Sequence, residues 1–209
     1  MGNKLVKAFE PWLNENVTIS AIKTLAIKVL ESADDANAEN PASSSGKYHP
    51  TSDMGPGGNV RHSILVAEIT KVIMRAYEMF DDKRIYEATA VAGLLHDICK
   101  YKSEDASHTQ FDHPVAAAKL IREIGKKLGL ENGKDGLFEG LANMIAEDVE
   151  THMGRWNTSK YYDGALPLPE TLPQKVVHIA DLVSANKELP ITMDKFTKEA
   201  EEELKANEW

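Results

Sequence analysis

The stretch ATAVAGLLHDICK, residues 88–100, decides the fold. It is apolar almost throughout, carries no turn-forming pair, and holds the adjacent ionisable residues His96 and Asp97 near its end. Ala90, Leu94 and Asp97 recur at helical spacing, so an amphipathic helix from about Lys83 to Lys100 directs a carboxylate along its apolar side. Working outward, the same pattern recurs. Asn59 is expected to cap a helix running to about Phe80, on which His62 shares a face with Val66, Ile69 and Ile73. Asp112 with Pro114 opens another helix that should fade near Gly125 or Gly129, with His113 in line with Ala117, Leu120 and Ile124. A helix over 136–152 places His152 beyond Leu141, Ile145 and Val149, and one over 174–188 places Asp181 one turn after Val177. An early helix covers 17–33, and a last, heavily charged one covers 192–207, to which no chemistry is assigned.

Between these helices lie two long connections. Residues 34–58 are rich in Ser, Gly, Pro, Asn and Asp and read as an irregular loop. Residues 153–173, with Trp156, Tyr161 and Tyr162, read as an ordered loop whose aromatics need something to pack on. The chain is therefore expected to be all-α: one helical-bundle domain over residues 1–209, its core at about 40–187, flanked by N-terminal helices and the charged C-terminal helix. At 209 residues, 42% of them apolar, a single core is sufficient.

A net charge of −9 argues against a protein that grips long duplex nucleic acid, which demands a basic surface. Short or small phosphate-bearing partners stay open, because carboxylates that face bound cations do not repel phosphate. One cysteine, Cys99, excludes an intramolecular disulfide and fits a reducing compartment. No signal-type segment or membrane-length apolar run is present, so no membrane partner is expected and the cytoplasm is the expected location. The sequence leaves the oligomeric state open.

Five helices thus each direct a His or Asp inward. A lone buried carboxylate costs several kcal/mol or more unless it is neutralised or binds a cation. Neutral imidazoles and carboxylates suit Mn, Fe, Ni, Co or Zn, with Mg also compatible, and open positions on such an ion would bind a phosphate oxygen and activate a water.

His62, the doublet of GLLHDICK (93–100) and the Asp of HIADLVSA (178–185) resemble the H…HD…D signature of the HD-domain phosphohydrolase superfamily. The segments PASSSGKYHP and GPGGNVRHS are similar to the loop preceding the first metal His in phosphodiesterase-like members, and FDHPVAAAKLI and VETHMGRW resemble the extra histidines of two-metal members. The resemblance implies a helical HD-type fold. It also implies a first ion on His62, His96, Asp97 and Asp181, with Asp97 bridging to a second ion on His113 and His152. Asp97 and Lys100 would act in catalysis; Lys47, His49, Lys100 and Arg155 are candidates for substrate contact, against solvated or capping roles. His108 and His178 are read as structural. Lys100 stands where nucleotidase-like branches carry an acidic residue, and no GYP motif follows.

The implied activity is metal-dependent hydrolysis of a phosphate ester, foremost a phosphodiester in a short oligonucleotide or cyclic nucleotide. A nucleotidase or dNTP triphosphohydrolase is the second reading, and a non-catalytic nucleotide-sensing module the third.

Overall fold

A computed structural model describes residues 3–47, 49–79, 81–132 and 136–187. Among them are eight helices and no strand: α1 (Lys4–Asn16), α2 (Ser20–Ser32), α3 (Ala36–Glu39), α4 (Gly58–Ala76), α5 (Lys83–Leu95), α6 (His113–Asn132), α7 (Leu137–Glu150) and α8 (Leu172–Ser184). Short 3-10 turns lie at Thr51–Asp53 and Gly154–Trp156. The expected helix at 192–207 falls outside the described residues.

A buried apolar cluster runs from Leu5 and Phe9 of α1 through Leu25 and Val29 of α2, Val91 and Leu94 of α5, Ile121 of α6 and Ile145 of α7 to Val177 of α8. Burial of such side chains contributes about 1.5–3 kcal/mol each. The expected all-α single-domain architecture is therefore what the chain adopts. No described helix is long and apolar enough to cross a membrane.

Several boundaries differ from those expected, each for a specific physical reason. Helix α1, which the apolar pattern does not announce, runs unbroken through Pro11 and is capped by Asn3, whose side chain accepts from Val6 N. Helix α2 starts at Ser20 rather than 17, because buried Glu87 of α5 takes the amides of Thr18 and Ile19 and the Thr18 hydroxyl. Helix α4 is capped by Gly57 at φ 72°, not by Asn59. Asn59 instead lies inside the first turn, donating to the carbonyls of Asn37 (3.2 Å) and Asp97 (3.3 Å).

Helix α5 stops at Leu95, and the doublet sits in a tightened turn closed by Ile98 N to Leu95 O and Lys100 N to Asp97 O. Helix α6 does not fade at Gly125, because a missing side chain is what lets α7 approach: a Cβ there would lie 2.2 Å from Ala142 Cβ. Thr171 and Gln174 form a capping box that starts α8 early.

The loop 34–58 is less irregular than its composition implies. It contains α3, and Asn37 is tied to both the amide and the carbonyl of Tyr101. In the second loop, Asn157 and Leu166 pin the two ends together. Its aromatics are only partly packed. Tyr162 meets Phe111 at 5.3 Å, and Trp156 meets His178 at 6.0 Å, but Tyr161 is 83% exposed, contrary to expectation.

Candidate metal centre

The inward-facing residues converge at one place among α4, the turn after α5, the start of α6, the turn after α7, and α8. His62, near the start of α4, is fully buried. Its Nε2 lies 3.0 Å from Asp181 Oδ1 and 3.9 Å from Asp97 Oδ2. His96 Nε2 lies 3.3 Å from Asp97 Oδ2 and 3.7 Å from Asp181 Oδ1. On the far side of Asp97, Oδ1 is 2.9 Å from His113 Nε2 and 3.7 Å from His152 Nε2. Asp97 therefore stands between two groups of ligating atoms, {His62, His96, Asp181} and {His113, His152}.

The chain fixes the orientation of three of these rings by backbone. His96 Nδ1 donates to Gly93 O at 2.7 Å, His113 Nδ1 to Gln110 O at 2.7 Å, and His152 Nδ1 to Val149 O at 2.8 Å. With Nδ1 carrying the proton, each neutral ring presents a lone pair at Nε2. His113 Nε2 and His152 Nε2 face each other at 3.2 Å. Two lone pairs cannot hydrogen-bond to one another, but they can share a cation. Buried His96 Nε2 and Asp97 Oδ1 likewise have no hydrogen-bond partner. Short approaches without hydrogen-bond alignment fit ligands that converge on an ion, so the donor set suits a divalent transition metal.

The electrostatics agree. Burial, with the neighbouring His96 and His113 rings adding to it, pushes the His152 imidazole down to about 3, so it stays neutral and available as a ligand. Burial also works against the Asp97 and Asp181 carboxylates, but neighbouring histidines, and Lys100 beside Asp97, outweigh it and hold both well below the usual carboxylate range. For His62 the burial penalty is overcome by the hydrogen bond to Asp181 and the nearby Asp53 carboxylate, raising it to about 9.

Lys100 extends its ammonium onto Asp97 Oδ2, so it reaches the centre through that carboxylate. His49 is buried with its ring edge-on to His62, centroids 4.6 Å apart. Lys47 and Arg155 are exposed; Arg155 lies over the Trp156 ring at 4.5 Å. His178 donates from Nδ1 to His152 O at 2.7 Å, and its ring packs so closely on Gly154 that a Cβ there would meet it at 2.2 Å. His108 is exposed beside Asp105 and Ser107.

Two residues near the centre escaped the sequence reading. Asp53 lies in a polar loop with no periodicity to reveal that it is 3% exposed. Ser184, in the HIADLVSA segment, places its hydroxyl 3.3 Å from His62 Nδ1; it follows Asp181 by three residues, a spacing that could have drawn attention to it.

The family model described as HD domain matches residues 59–186, more than half of the chain. No curated protein and no solved structure matches.

Proposed function

Since the chain belongs to the HD domain family, we propose that it is a metal-dependent phosphohydrolase with a two-ion centre. In this reading His62, His96, Asp97 and Asp181 hold one divalent ion, and Asp97, His113 and His152 the other. The observation that carries it is the pair of facing imidazole nitrogens on His113 and His152, 3.2 Å apart, both already committed at Nδ1 to backbone carbonyls. When bound, the ions would supply an activated water and charge stabilisation for the phosphoryl oxygens. The chain's own contribution is to hold six side chains from five segments in one place, and to keep Asp97 ionised between the two groups.

The substrate class proposed is a phosphodiester in a short oligonucleotide or cyclic nucleotide, supported by the likeness of the PASSSGKYHP and GPGGNVRHS segments to diesterase-like members. Purified, metal-loaded protein is expected to cleave a chromogenic diester faster than nucleoside mono- or triphosphates. The reverse order would favour the nucleotidase reading, and no turnover with any metal would favour a sensing module.

Two ions per chain are expected by anomalous scattering above and below the metal edge. His113→Ala and His152→Ala should each remove the same peak and spare the other. A single peak at full occupancy, with both histidines turned away, would reduce the centre to one ion.

Lys100→Ala should slow turnover by about tenfold or more while both ions remain, because an ammonium cannot ligate a cation but can offset phosphate charge. Joint loss of ions and activity would make Lys100 a structural partner of Asp97 instead.

A further inference from the structure

Behind His62, on the side away from Asp181 and Asp97, the loop before α4 buries a third carboxylate. Asp53 Oδ2 lies 3.7 Å from His62 Nδ1 and 3.9 Å from His49 Nδ1. Oδ1 accepts from Ser52 Oγ at 3.3 Å, but Oδ2 is buried without a hydrogen-bond partner, which is costly for a carboxylate unless positive charge faces it. The surrounding chain holds it there. Asp53 accepts from Ala42 N at its carbonyl (2.9 Å) and donates from its amide to Pro50 O (3.0 Å). Arg61 gathers the loop by donating to Ser52 O, Pro56 O and Met54 O. Gly58 permits the close approach, since a Cβ at that position would lie 1.9 Å from Asp53 O.

The protonation of His62 follows from its other neighbour. Ser184 Oγ donates its hydrogen to Asp181 O at 2.8 Å, so towards His62 Nδ1, at 3.3 Å, it can only accept. His62 must then carry a proton at Nδ1, so Nε2, the nitrogen facing Asp181 and Asp97, is the one that would give up its proton to an ion and act as ligand. A histidine ligand whose outer N–H meets a carboxylate is oriented and made more basic by it.

We propose that Asp53 is a positioning residue of the metal centre: Ser184 accepts the Nδ1–H of His62, and the Asp53 carboxylate, 3.7 Å from that nitrogen, favours the proton there by its charge, so that together they fix which nitrogen, and which ring orientation, meets the first ion. His49, edge-on to His62 and beside Asp53, closes the remaining side. The role rests on the two-ion reading above. It makes the loop 49–58 a supporting part of the centre although it contributes no ligand.

The test is zinc titration of the full chain, wild type beside Asp53→Ala and Asp53→Asn, with ion content measured after dialysis and helicity by circular dichroism. Asp53→Ala should weaken one of the two ions by about 10–100-fold and leave the other unchanged. Asp53→Asn, which keeps the shape and an accepting oxygen but not the charge, should fall between; it also decides the matter if the alanine variant does not fold. In long-range 1H–15N spectra of the zinc-loaded wild type, His62 should show a protonated Nδ1 and a metal-bound Nε2. Folded variants that bind both ions as tightly as wild type, or a His62 bound through Nδ1, overturn the proposal. A third ion that disappears in Asp53→Ala also overturns it, making Asp53 itself a ligand. Wild-type protein that takes up no divalent ion overturns the two-ion reading, and this role with it, whereas a loaded wild type with unaltered variants overturns this role alone.

Discussion

Asp97→Ala should abolish turnover, by at least about 10³-fold, while the helical content of the chain stays as it is. Asp97 is 1% exposed and is approached by His96 and His113 on its two oxygens, with Lys100 on Oδ2. Removing it deletes the one carboxylate shared by both groups of ligating atoms, so ion content should fall along with activity. The helices do not depend on it, because α5 ends at Leu95 and is held by Val91, Leu94 and Leu95, all fully buried.

A stability effect should accompany the loss. Neighbouring positive groups hold the Asp97 carboxyl well below its usual value. A carboxylate depressed in this way stabilises the fold above its unfolded value near 3.8, and that contribution is lost as pH falls through the folded value. At neutral pH the ion-free variant is therefore expected to be less stable than ion-free wild type, with buried imidazoles and Lys100 left without their partner. Circular dichroism, ion analysis and an activity assay on the same preparation read all three consequences. Unchanged catalysis with metals re-supplied would remove Asp97 from the centre.

Asp148→Asn should do the opposite to stability. Asp148, on α7 one turn before His152, is 5% exposed. Burial pushes its carboxyl up to about 7; the Thr89 hydroxyl pulls against this only in part, and the charge of Glu147 adds to it. Here the folded value lies above the unfolded one. Below about pH 4 both states are protonated and nothing is lost. Between about 4 and 7 the unfolded chain releases a proton that the folded chain retains, so stability falls as pH rises, and above 7 the full penalty applies.

At 1.36 kcal/mol per pH unit, the interval from 3.8 to about 7 corresponds to on the order of 4 kcal/mol. An asparagine carries no such penalty. The variant should be more stable than wild type by a few kcal/mol at pH 8, about 10 °C in melting temperature for a chain of this size, with the gap closing towards pH 4. Melting curves of the ion-free proteins from pH 4 to 8 test this, because subtracting one protein from the other cancels the titration of the metal centre common to both. A gap that does not change with pH would show that Asp148 is not the buried acid described.

The sequence by itself determined the helical architecture and the direction of the ionisable residues. Periodicity carried both: His62, Asp97, His113, His152 and Asp181 each lie in register with apolar residues that must face a core, and a helix has only one apolar side to offer. That logic is local, so a linear pattern contains it. Helix boundaries were less legible, because they were set by partners far away in sequence. Glu87 shortens α2 from 69 residues away, Gly125 lets α6 continue only because Ala142 of α7 presses against it, and Asn59 is drawn from a cap into a bridge between Asn37 and Asp97.

Only the tertiary structure decided which nitrogen each histidine presents, since that depends on the carbonyl that happens to face Nδ1. Only it showed that His113 and His152 aim at one point, that Lys100 reaches the centre through Asp97, and that Arg155 rests on Trp156. Asp53 was out of reach of any pattern. It sits in a loop of Ser, Gly, Pro and Asp where composition signals solvent, and it is buried because Arg61, Ala42 and Gly58 fold the loop over the back of His62.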